Sequence, residues 1–138
     1  MQLMPLQMTA GWQVVWNHFY NVDVGNRLDD EGLLKYPFVE DILLLRNPAL
    51  CKSIDLGWGE EGNPNSQYCL RYLSWHIPSY REMPKKTIER RSAEGKLIYE
   101  LVQVADENWE NPLDECYLSD RFAVADKINS WLVDSSLG

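Results

Sequence analysis

Two runs of alternating residues joined by a turn constrain this chain most. In Lys52-Ser53-Ile54-Asp55-Leu56-Gly57-Trp58, the apolar Ile54, Leu56 and Trp58 alternate with Ser53, Asp55 and Gly57. That period of two marks a strand. Gln67-Tyr68-Cys69-Leu70-Arg71-Tyr72-Leu73-Ser74-Trp75 reads as another. Between them, Gly59 to Ser66 is dense in turn residues. The pair is expected to form an antiparallel hairpin with a long, acidic, glycine-bearing tip.

Other elements follow from the same reading. Trp12, Val14 and Trp16 alternate with Gln13 and Asn17, which predicts a strand within 12–20. Residues 1–10 read as a loose N-terminal arm, and Asn21 to Gly32 as a polar, acidic loop. Phe38, Ile42 and Leu45 fall at i, i+4 and i+7 after Pro37, with acids early and Arg46 late. This spacing predicts a short helix over about 37–46. The stretch 85–104 fits either a helix or a hairpin. The hairpin is preferred because Gly95 sits badly inside a helix and the Ile, Tyr and Val content favours strands. Glu115 to Leu118 reads as a short strand. Ser119 or Asp120 caps a final helix over about 121–133, with Phe122, Ala125, Ile128 and Leu132 near one face and Trp131 beside them. The expected fold is a single α+β domain: a mainly antiparallel sheet of about five strands, the short helix, and a C-terminal helix laid on one face.

A chain of 138 residues with 45% apolar and 25% charged content buries a core without a metal or disulfide staple. Three widely spaced cysteines without a CxxC pair read as reduced thiols, which points to a cytoplasmic setting. The first residues lack the features of a signal peptide, and no apolar run reaches membrane-spanning length.

Recognised chemical motifs are sparse. There is no P-loop, dinucleotide fingerprint or GxSxG elbow. His18 and His76 are the only histidines and lack metal-ligand spacing. No cofactor or metal is expected.

Charge is the stronger signal. Residues 1–61 carry nine acids and four bases, 71–96 seven bases and three acids, and 97–138 nine acids and two bases. The total is −8. A small acidic domain repels nucleic acid and attracts basic partners. The acids crowd into three places: Asp29, Asp30 and Glu31; Glu60 and Glu61; and Asp106, Glu107, Glu110, Asp114 and Glu115. Trp58 and Trp109 lie beside two of these clusters. Their rings either close over the core or serve as aromatic anchors within an acidic surface.

The order of several motifs resembles a known group. Gly11-Trp12 leads into Asn17-His18-Phe19-Tyr20-Asn21-Val22-Asp23, then Glu40-Asp41-Ile42-Leu43, then Ile54-Asp55-Leu56-Gly57-Trp58 with Gly62-Asn63-Pro64. This series resembles the immunity proteins of bacterial polymorphic toxin systems, in particular those of contact-dependent growth inhibition. The resemblance covers roughly the first half of the chain, and its motifs are structural. It implies a cytoplasmic, non-enzymatic inhibitor of one cognate toxin domain, often a nuclease, with no catalytic residues to carry over. The three acidic clusters with Trp58 and Trp109 are then the expected contacts with a basic toxin domain. Two other classes stay open: a small enzyme with a carboxylate and His18 in a cleft, and a homo-oligomeric adaptor.

Overall fold

The computed structural model describes residues 1–137. Five strands form one antiparallel sheet: β1 (Gln13–Asn17), β2 (Leu43–Asn47), β3 (Lys52–Trp58), β4 (Tyr68–Ser74) and β7 (Asp114–Leu118), in the spatial order β1-β2-β3-β4-β7. Between β4 and β7 the chain leaves the sheet to make a separate two-stranded ribbon, β5 (Lys85–Arg91) and β6 (Leu97–Gln103). One α-helix, α1 (Arg121–Leu137), closes the chain. The α+β class, the β3–β4 hairpin, the ribbon at 85–104 and the C-terminal helix agree with the expectation.

The expected helix over 37–46 does not form. Ile42, Leu43, Leu44 and Leu45 are each at most 2% exposed, and Leu43 to Leu45 lie in β2. A run of four apolar residues suits a strand covered on both faces, and such a run also contains helical spacings by chance. Pro37 instead occupies the turn leading to this strand, where Val39 N–H donates to the Pro37 carbonyl.

The N-terminal arm is docked rather than loose. Met4 is buried in the main core, its N–H donates to the Phe19 carbonyl, and Leu3 bridges to Tyr20. The Gln7 N–H donates to Asn129 Oδ1 on α1. Burial of one methionine gives this segment the apolar anchor that its composition hid.

Alternation divides the sheet into two faces. Leu43, Leu45, Ile54, Leu56, Trp58, Tyr68 and Leu70 form the main core with Val124, Ala125, Ile128, Trp131 and Leu132 of α1. Trp131 stacks on Tyr72 with centroids 5.2 Å apart. Asp120 caps the helix, its Oδ1 accepting the Phe122 N–H at 3.1 Å. Phe122 was expected on the apolar face, yet its ring is 51% exposed with the Arg121 guanidinium over it. At the first turn the helix edge already faces solvent.

Candidate functional site

The second face of the sheet carries the polar half of each alternating strand. Register places Leu44, Asp55, Arg71 and Glu115 in one row across β2, β3, β4 and β7. The next row holds Gly57, Cys69 and Tyr117. Loops cover this face at its sides. Residues 39–42 run along β3, with the Trp58 N–H donating to the Val39 carbonyl and the Ile42 N–H to the Leu56 carbonyl. On the other side, Glu107 bridges Trp75, and the Asn108 N–H donates to the Ser74 carbonyl.

Between these covers lies a cleft of about 500 Å³, lined by Glu40, Asp41, Asp55, Arg71, Trp109 and Tyr117, among others. Gly57 shapes its floor. A Cβ there would stand 2.1 Å from the Glu40 carbonyl oxygen, so the absence of a side chain lets the Glu40 backbone approach the sheet.

Asp55 is the unusual group. Its side chain is only 9% exposed, and its carboxylate accepts no hydrogen bond from the described residues. The nearest opposite charge is Arg71 Nη1 at 3.8 Å. Arg71 is engaged elsewhere, since its Nε donates to Glu115 at 2.9 Å, and Glu115 also accepts the Tyr117 hydroxyl at 2.7 Å. Burial pushes the Asp55 carboxyl up to about 7 against the opposing pull of Arg71, and the negative charges of Asp41, Glu107 and Glu40 push in the same direction as burial. The Tyr117 hydroxyl, then Arg71, hold Glu115 below its ordinary value.

A larger hollow of about 690 Å³ borders Val22 to Asn26, Tyr68 and Ser119 to Arg121. Its Arg121 is paired with Asp23 at 2.5 Å, and its Asp120 caps α1, so its charges are already answered. The cleft at Asp55 is the place with unmet charge.

The residues expected as partner contacts divide into two groups. The Leu34 N–H donates to the Gly62 carbonyl, which ties the Asp29 loop to the hairpin tip. Glu61 Oε1 accepts the Glu40 N–H at 3.1 Å, which ties the tip to the cleft rim. Trp109, 48% exposed, lines the opposite wall. Asp30, Glu31 and Glu110 are exposed and make no ion pair among the described residues. Several others serve the fold. Trp58 is 3% exposed, edge-on to Phe38 and Tyr68, with its Nε1 donating to the Asn63 carbonyl; it is a core ring and not an exposed anchor. Glu107 is 5% exposed and accepts from Arg46 Nε at 2.6 Å and Ser53 Oγ at 3.0 Å, while Ser53 accepts the Trp75 indole. It is an internal counter-charge. Asp29 closes its own loop by accepting the Glu31 and Leu33 N–H groups. Glu60 accepts from Asn63, Asp106 pairs with His76, Asp114 with Lys127 and Glu115 with Arg71.

His18 does not join the cleft centre. Its Nδ1 lies 2.9 Å from the Tyr36 hydroxyl, with no carboxylate in hydrogen-bond reach among the described residues. Asp55, Glu40, Asp41, Arg71 and Tyr117 carry no motif in the sequence that marks them as a site. One signal pointed to them: pairing the two hairpin strands in register sets an acid opposite an arginine on the same face. Among the described residues, no three His, Cys, Asp or Glu side chains are grouped to hold a metal ion, and no helix is long and apolar enough to cross a membrane. Comparisons with protein-family models, curated proteins and solved structures returned no match.

Proposed function

We propose that this chain is a binding protein that neutralises a basic protein domain, in the manner implied by its resemblance to toxin immunity proteins. The observation that carries this reading is the acidic cleft, with Glu40 and Asp41 at its rim and the half-exposed Trp109 ring on its wall. A nuclease presents Lys and Arg to a phosphate backbone, and an acidic surface suits that same face. Long-range attraction speeds encounter, and an aromatic contact in a desolvated patch slows release. The three free thiols fit action in the cytoplasm.

The test is to find whether a toxin domain is encoded beside this chain and to co-express the two. Protection of the cells is expected, and loss of protection on combining Glu40→Lys with Asp41→Lys. Protection that survives this charge reversal contradicts the reading.

A second reading has one observation behind it. A carboxyl that titrates near neutrality in a cleft is a competent general acid–base. Turnover of a substrate by the isolated chain, abolished by Asp55→Asn, would favour it.

A further inference from the structure

We propose that the cleft at Asp55 is a site for one organic cation, the guanidinium of an arginine side chain carried by the basic partner. The identity of the carrier rests on the function proposed above; the site itself rests on geometry. Asp55 is a carboxylate nine-tenths buried, without a hydrogen bond, and it lines an open cleft rather than closed packing. Glu40 and Asp41 line the same cleft, their negative charges act on Asp55, and their carboxylates likewise accept no hydrogen bond from the described residues. Against these three acids the cleft holds one base, Arg71, which is hydrogen-bonded to Glu115 at 2.9 Å and reaches Asp55 only as a longer ion pair at 3.8 Å. The site therefore lacks positive charge.

The shape selects the kind of cation. Among the described residues, no three acids are grouped to hold a metal ion. The half-exposed Trp109 ring offers a flat surface on which a guanidinium stacks, while its fork of N–H donors meets carboxylates in pairs. An ammonium is a strongly hydrated point charge and gains less from such a wall.

Binding is coupled to a proton. The groups facing Asp55 are Glu40 and Asp41 from the covering loop, Cys69 and Arg71 from β4, Glu115 and Tyr117 from β7, and Glu107 from the opposite loop. An arriving cation favours ionised Asp55, so a proton leaves to solvent and affinity rises with pH through neutrality.

The experiment titrates the full chain with N-acetyl-arginine methylamide and follows the Trp109 indole and Asp55 carboxyl signals by NMR. The citrulline and lysine counterparts serve as comparisons. Saturable shifts at both groups are expected with the arginine compound. The uncharged citrulline compound should bind at least about tenfold more weakly, and the lysine compound more weakly than arginine. Asp55→Asn should weaken binding about tenfold or more, the rim variant Glu40→Gln with Asp41→Asn should also weaken it, and Asp126→Asn on the exposed side of α1 should leave it within about twofold. No saturation at the cleft, equal binding of citrulline, or undiminished binding by both cleft variants would overturn the proposal. Because the probe is a small molecule, its binding stands or falls apart from cell protection. A cleft that binds arginine in a chain that fails to protect keeps the site and removes the immunity role.

Discussion

Gly57 has no room for a side chain, because the Glu40 carbonyl oxygen occupies that space. Gly57→Ala should cost about 3 kcal/mol or more, since backbone and not a pliable side chain must move; urea melts give the measure. Asp55 makes stability depend on pH. Its carboxyl titrates near 3.8 in the unfolded chain and about 7 in the folded one. Between these values the native state holds the extra proton, so stability falls as pH rises from about 4 to about 7. At about 1.4 kcal/mol for each pH unit, the ceiling on this loss is on the order of 4 kcal/mol. Asp55→Asn should flatten the slope and raise the melting temperature at pH 8; a wild-type curve that is flat through this range contradicts the assignment. Glu107 and Glu110 stand three residues apart in sequence and differ in role. Glu107→Ala strands Arg46 and Ser53 and should cost about 2–3 kcal/mol, whereas Glu110→Ala should stay within about 0.5 kcal/mol.

At the scale of elements, β3 and β4 were legible in the sequence to within a residue because alternation and turn chemistry agree there. The stretch 38–46 was not, because Ile42 to Leu45 satisfies helical spacing and buried-strand composition together, and only pairing between β1 and β3 decides. The cleft was hidden for a related reason. Ser53, Asp55 and Gly57 are the polar half of an alternating strand, yet the Glu107 side chain bonds Ser53 and the Glu40 backbone lies against Gly57, long-range contacts with no local pattern. The β5–β6 ribbon is the opposite case. All seven residues of β5 are exposed, and Leu97, Tyr99 and Leu101 of β6 share one open face. Two strands without a covering layer are marginal in water. Ribbon amides should therefore exchange with deuterium at least about 100-fold faster than those of β3 and β4. Equal protection would mean that something covers the ribbon in solution.

Across the whole molecule, charge is divided by structure as well as by sequence. Residues 85–103 hold five bases and three acids, leaving −10 for the remainder of the chain. The basic ribbon forms its own two-stranded sheet, separate from the five-stranded sheet that carries the cleft. The proposed partner should therefore associate at a rate that falls about tenfold or more from low to high salt. The Asp29 loop, the hairpin tip and the cleft rim are joined by backbone hydrogen bonds and the Glu61 contact, so the proposed partner would meet them as one region. The most direct check of the cleft's role is the Asp55 carbon-13 carboxyl titration, run with and without the arginine compound. A midpoint near 7 is expected for the free chain, falling by about one pH unit or more when the compound is bound. A midpoint in the ordinary aspartate range, unmoved by the compound, would contradict it.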